Sequence, residues 1–206
     1  MFICRNGDTL PHSWEVAVLP DVAEVNPRTD FSGYEDGRII SFIPMPLVEE
    51  KTGKLDSSRT EELRKVKKGY TRFIEGDVLF AKITPCMENG KVALAEKLQG
   101  GIGAGSTEYH VLRAYSGVLN RYLLYYLLQA AFRQDAQHHM TGTAGQKRVP
   151  SKYIENSQIP LPPTDEQHRI VSKIEELFSD LDQGEAALRK VQTLLTRYRQ
   201  AVLKAA

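Results

Sequence analysis

Ile159-Pro160-Leu161-Pro162-Pro163-Thr164-Asp165-Glu166-Gln167 divides the chain into two regions with different patterning. Three prolines in four positions exclude a helix there, because each lacks an N–H and fixes φ, and they give a stiff elbow. Thr164 and Gln167 then have capping-box spacing, which predicts that each side chain satisfies a backbone N–H at the start of a helix. Asp165 and Glu166 add negative charge at the positive end of that helix.

Downstream, Ile170, Ile174, Leu177, Leu181, Gly184, Leu188, Val191, Leu195, Tyr198 and Val202 are spaced alternately by four and three residues. This heptad register predicts a coiled coil. A helix packed on its own domain would show a wider stripe at 3.6-residue spacing. From Asp165 to Lys204 such a helix is about 60 Å long, more than the preceding domain covers. Charge sets the direction of pairing. Residues 165–185 carry seven acidic and two basic side chains, net −5, whereas residues 186–206 carry five bases and no acid, net +5. Two copies running antiparallel set −5 against +5 twice and oppose their helix dipoles. The layers then match as Ile170 with Val202, Ile174 with Tyr198, Leu177 with Leu195, Leu181 with Val191 and Gly184 with Leu188. These ten residues are the expected homodimer interface.

Upstream of the elbow the pattern is that of a mixed α/β domain. Arg38–Ile43, Asp77–Ile83, Lys91–Ala95 and Glu108–Arg113 read as strands, separated by Gly- and Pro-containing connections. Leu119, Tyr122, Leu123, Tyr126, Leu127 and Ala130 form one apolar helical stripe, read as core packing. The expected fold class is therefore α+β. A mixed α/β domain over residues 1–160 precedes a proline elbow and one long coiled-coil helix over 161–206.

Of the 206 residues, 41% are hydrophobic and 26% charged, which fits a packed core and not disorder. No run of 18 apolar residues occurs, so no membrane span is expected. Met1–Asp8 lacks a basic start followed by an apolar stretch, so a secretory signal is not expected. Cys4 and Cys86 lie far apart and fit reduced thiols. Together these features predict a cytoplasmic protein. A net charge of +1 excludes a uniformly basic nucleic-acid binder but leaves room for local basic faces.

No catalytic constellation emerges. Gly100–Ser106 is glycine-rich but lacks the Lys-Ser/Thr ending of a P-loop and precedes a strand, so it reads as a flexible turn at a surface. No GxSxG is present. Glu88-Asn89-Gly90-Lys91 has the wrong spacing for a magnesium nuclease, and Asn26-Pro27-Arg28 lacks the second proline and aromatic of an amino-methyltransferase. His138 and His139 are adjacent and point apart on a helix, and the cysteines form no CxxC pair, so no metal site is expected. Two basic groups stand out: Arg59, Arg64, Lys65, Lys67, Lys68 and Arg72 around Tyr70, and Gln146, Lys147, Arg148, Ser151 and Lys152 after Thr141–Gly145. Arg and Lys neutralise phosphates or bond guanine edges, and Gln and Asn read adenine. Charge alone leaves a solvated face equally open.

Several stretches resemble the DNA specificity subunit of type I restriction–modification systems. They are Leu10-Pro11-His12-Ser13-Trp14-Glu15, Gly76–Lys82, Gly105–Arg113, Val149-Pro150, Ile159–Pro163 with Glu166–Val171 and Leu177-Phe178, and the closing Arg199–Ala206. Their order and spacing cover nearly the whole chain. The departure is length: a typical member holds two target-recognition domains and two spacer helices, and this chain has one of each. The resemblance implies a non-catalytic subunit that reads one half of a bipartite site in double-stranded DNA. Its helix would set the distance between halves and dock methyltransferase subunits, which work with restriction/motor subunits. S-adenosylmethionine, ATP and magnesium would belong to those partners, with no cofactor in this chain. Charge and loop position select Lys82, Thr84, Lys91, Ser106, Gln146, Lys147 and Arg148 as expected DNA contacts. Two other readings compete: a stand-alone nuclease or methyltransferase, and a coiled-coil interaction module with no DNA role.

Overall fold

The structure, a computed structural model, describes residues 10–143 and 145–205, so the readings of Met1–Asp8 and Cys4 lie outside it. The Val202 side chain also lies outside the description. The chain forms two compact units, one ending at Gln167 and one beginning at His168.

The described residues of the first unit carry ten strands: β1 (Glu15–Val18), β2 (Ala23–Val25), β3 (Ile39–Ile43), β4 (Thr60–Glu62), β5 (Thr71–Ile74), β6 (Val78–Ala81), β7 (Val92–Leu94), β8 (Ile102–Gly105), β9 (Tyr109–Ala114) and β10 (Gln158–Leu161). Its helices are α1 (Leu19–Val22), α2 (Leu63–Val66), α3 (Asn120–Leu128), α4 (Ala130–His138) and α5 (Ser151–Asn156), and α6 (Thr164–Ala205) follows the elbow. One sheet is antiparallel in the order β2-β9-β6-β7, and a second runs β4-β3-β8-β5 with β3 and β8 parallel. β1 and β10 form a separate antiparallel pair. Ile43, Phe73, Leu79, Tyr109 and Val111, drawn from both sheets, share one buried cluster. Phe31, Ile40, Phe42, Leu63 and Ile102 form another around the second sheet. Burying such side chains contributes about 1.5–3 kcal/mol each and is the main stabilising term.

The strands expected at Arg38–Ile43, Asp77–Ile83, Lys91–Ala95 and Glu108–Arg113 correspond to β3, β6, β7 and β9. α3 packs its Tyr122, Leu123, Leu124 and Leu127 inward against β6, β7 and β9. The glycine-rich run differs from its reading as a surface turn. Ile102–Gly105 is a buried strand between β3 and β5. Its glycines are there for close approach: a Cβ on Gly103 would stand 2.4 Å from the Phe73 ring, and one on Gly105 2.2 Å from the Ile43 carbonyl oxygen. The elbow also differs in part, since Gln158–Leu161 is a strand, with Pro160 opposite Val16. Proline is tolerated there because neither strand has a second neighbour in its ladder.

α6 is one 42-residue helix. Its start departs from the capping box by one position, because the Pro163 carbonyl accepts from the N–H groups of both Glu166 and Gln167. The two side chains act elsewhere. Thr164 Oγ1 donates to the Gly117 carbonyl. Buried Gln167 accepts from Leu119 N–H and donates to the Gly117 and Pro162 carbonyls. Further along, Ile170 and Ile174 are half-buried, and Gly184 is exposed like its neighbours. Leu177, Leu181, Leu188, Val191, Leu195 and Tyr198 are each at least 51% exposed.

Candidate nucleic-acid interface

Six of the seven expected contact residues come together where β6 ends. Past Ala81 the chain continues extended, and Lys82 N–H donates to the Glu108 carbonyl. Residues 147–149 lie along this extension. Val149 N–H donates to the Lys82 carbonyl, Thr84 N–H to the Lys147 carbonyl, and Ile83 bridges Arg148. Thr141 and Arg148 exchange both backbone hydrogen bonds, so residues between them form a closed loop. Gly142 takes φ +122°, and a Cβ there would stand 2.9 Å from the Gln146 carbonyl oxygen, so the loop requires glycine at that position.

The loop presents Gln146 and Lys147 to solvent. Arg148 is held back. Its Nε and Nη2 donate to the two Glu108 carboxylate oxygens at 2.9 and 2.8 Å, and Nη1 to the Gln146 carbonyl. This fork holds the Glu108 carboxyl below its usual range, with Lys82 adding attraction. Ser106 accepts from Glu108 N–H, tying the β8–β9 turn into the same strip. Thr84 Oγ1 donates to Glu88. Lys91 is the residue that the fold does not bring into the strip: its ammonium donates to the Val48 and Met45 carbonyls at 2.7 and 3.3 Å. The earlier basic group is also largely engaged locally. Arg64 pairs with Glu62, Lys65 with Glu61, Lys67 with Asp36, and Arg72 donates to the Thr29 and Lys67 carbonyls.

Charge reasoning missed three residues that build the strip. Glu108 escaped because only cations and amides were sought. Asn26 and His110 escaped because their roles depend on tertiary contacts. Buried His110 donates from Nε2 to the Val149 carbonyl at 2.8 Å, which leaves Nδ1 to accept from the Asn26 amide at 3.1 Å. Asn26 itself adopts φ +54°, a region Asn tolerates better than most residues, and its side-chain Oδ1 accepts from Val111 N–H. His110 thus pins the end of the 141–149 loop to β9.

Burial lowers the His110 pKa, outweighing the hydrogen bond to the Val149 carbonyl that favours the charged form; Lys82 adds to the lowering, and Glu155 and Glu108 oppose it. An unfolded imidazole takes up a proton below about pH 6.5, so the unfolded state binds more protons there and stability falls with falling pH. Thermal midpoints measured from pH 7.5 to 5.5 are expected to drop on the acid side. His110→Gln, which does not titrate, is expected to flatten that slope, and an unchanged slope would remove His110 as its source.

Among the described residues no group of three or more His, Cys, Asp or Glu could hold a metal ion, and no helix is long and apolar enough to cross a membrane. Residues 11–189 match the model of the type I restriction modification DNA specificity domain. Over 180 residues, 85% of this chain, the sequence is 48% identical to the type I restriction enzyme EcoAI specificity subunit of Escherichia coli and 42% identical to its EcoEI counterpart. The chain spans 30% of the length of each. The crystal structure of the HsdS subunit from Thermoanaerobacter tengcongensis superposes with a TM-score of 0.68 at 22% identity, over 91% of this chain and 48% of that one, which supports the fold. With the family model matching most of its length, the chain belongs to the type I restriction modification DNA specificity domain family.

Proposed function

We propose that this chain is a non-catalytic DNA-reading and scaffold subunit of a type I restriction–modification complex. In this reading residues 1–160 recognise one half of a bipartite site in double-stranded DNA, and 161–206 form the spacer that dimerises and docks methyltransferase subunits. Methylation and cleavage, with S-adenosylmethionine, ATP and magnesium, belong to the methyltransferase and restriction/motor partners. The observation that carries the reading is the strip of Lys82, Thr84, Ser106 and Gln146–Arg148. It combines exposed Lys147 and half-buried Lys82 for phosphates with an amide and a Glu–Arg pair able to meet base edges.

The helix supports the assembly half. Nine of the thirteen exposed large hydrophobics among the described residues lie on α6, and six of them, Leu177, Leu181, Leu188, Val191, Leu195 and Tyr198, form a stripe that a lone chain leaves in water. An antiparallel pair covers it and places two recognition domains to read an inverted repeat with a fixed gap.

Selection of bound sites from random DNA, using the complex reconstituted with its methyltransferase, is expected to enrich two half-sites at constant separation; no enrichment overturns the reading. The chain alone is expected to bind DNA weakly, because few phosphates are neutralised. Lys147→Glu is expected to weaken the complex about tenfold and to lower the salt slope by about 1 to 2. Glu108→Gln releases Arg148 and is expected to raise affinity for non-cognate DNA several-fold. Unchanged binding in both gel-shift titrations would take the strip out of the interface.

A further inference from the structure

A second concavity, of about 730 Å³, lies beside α4 and α5. Three aromatic rings line it at steep mutual angles. Tyr126 and Phe132 have centroids 5.4 Å apart and are inclined by 59°, and Phe132 and Tyr153 are 5.9 Å apart and inclined by 54°. Both phenols are committed: Tyr126 donates to the Gln158 carbonyl, and Tyr153 donates to Asp135 Oδ2 at 2.7 Å. Those bonds hold the rings in place before any ligand arrives. His139 lies over Tyr153 at 4.9 Å, and its Nδ1 is bonded to the Asp135 backbone carbonyl. The Asp135 carboxylate is half exposed, and its Oδ1 accepts no bond from a described residue. Lys152 is the basic side chain among the lining residues.

Neither a nucleobase nor a phosphate suits this arrangement. A sandwiched base needs two near-parallel faces about 7 Å apart, roughly twice the aromatic contact distance. Here the least inclined pair among the described rings lining the cleft, His139 and Tyr153, is tilted by 30° with centroids 4.9 Å apart, too close to admit a base. A phosphate would meet Lys152 but also the Asp135 carboxylate. Inclined electron-rich faces around a fixed carboxylate suit a cation, and among cations a guanidinium, which lies flat on aromatic rings and forks onto a carboxylate. The volume exceeds one side chain and leaves room for an apolar neighbour on the same peptide.

We propose that this cleft is a socket for an arginine side chain of a partner protein, forked on Asp135 and laid against the half-buried Tyr126 and Tyr153 rings, which pack on buried Phe132. The inference rests on the assembly half of the proposed function, in which the partner is a methyltransferase subunit. The first test is titration of the full chain with N-acetyl-argininamide, followed by backbone amide NMR. Signals of residues 126–139 and 150–158 are expected to shift saturably at millimolar concentration. Asp135→Asn, which still accepts the Tyr153 bond, is expected to weaken the probe at least fivefold. The citrulline analogue, choline and adenosine monophosphate are each expected to leave these signals unmoved. Citrulline or choline acting as strongly as the arginine probe overturns the socket, as does the nucleotide binding in its place or no shift at all. The second test is association with the methyltransferase, where Asp135→Asn is expected to lose at least tenfold in affinity. Wild-type affinity in that variant overturns the socket and leaves the proposed function standing. A wild-type chain that ignores the methyltransferase overturns the proposed function, and the arginine titration still decides the cleft.

Discussion

Replacing Leu181 and Leu188 together by aspartate is expected to turn a dimer into a monomer in light scattering at micromolar concentration. Each leucine is 66% exposed on α6. In the proposed antiparallel pairing Leu181 would meet the Val191 position of the second copy, and Leu188 would fill the space left by its Gly184. Burial of a leucine contributes about 1.5–3 kcal/mol, and twofold symmetry counts each substitution twice. The aspartates add the cost of burying charge without a partner. The dissociation constant is therefore expected to rise by far more than 100-fold, while the recognition domain, remote in sequence, keeps its melting transition. The opposed charges of the two helix halves are exposed and each ion pair contributes little, so high salt is expected to loosen the dimer only slightly. A monomeric wild type, or cross-links joining Arg197 to the partner's Arg197, would refute antiparallel pairing.

Gly105→Ala is expected to cost the recognition domain about 3 kcal/mol, lowering its thermal midpoint by roughly 10 °C. The added methyl would stand 2.2 Å from the Ile43 carbonyl oxygen and 3.2 Å from the Tyr109 ring. The first contact is with backbone inside a parallel β3–β8 pair, so no side-chain rotation relieves it. Gly33→Ala, with nothing within 4 Å of the new methyl, is the matched control and is expected to stay within about 0.5 kcal/mol of wild type. Equal melting of the two variants would show that β3 and β8 separate without cost.

These two sites mark what the sequence discloses and what it hides. The heptad of α6 and the alternating or apolar runs of β3, β6, β7 and β9 are legible because side-chain periodicity reports directly on burial. β8 is hidden because Gly103 and Gly105 are selected for the absence of a side chain, and an absence has no periodicity. α4 is hidden because Gln129 leaves helical geometry between two helical runs, with ψ 134°. In the interface, Lys147 and Gln146 are legible as exposed loop groups. Lys91 has the same chemistry as Lys82, yet its ammonium is turned to the Met45 and Val48 carbonyls, 43 and more positions away in sequence. No local pattern carries that information. Glu108 is hidden for a related reason: its value lies in its pairing with Arg148, 40 positions on.

The β1–β10 pair has a mechanical consequence. Its strands are about 140 positions apart, so closing them from an open chain costs roughly 4 kcal/mol in loop entropy. Glu15 and Leu161 face each other at one end of that ladder, and the chain leaves from these residues toward its N-terminal stretch and toward α6. Tension drawn between the two leads therefore peels the rungs apart one at a time instead of shearing them together. A pull from α6 reaches that ladder only after the Thr164 and Gln167 bonds to Gly117 and Leu119 have given way, so these bonds shield the ladder from load carried by the helix.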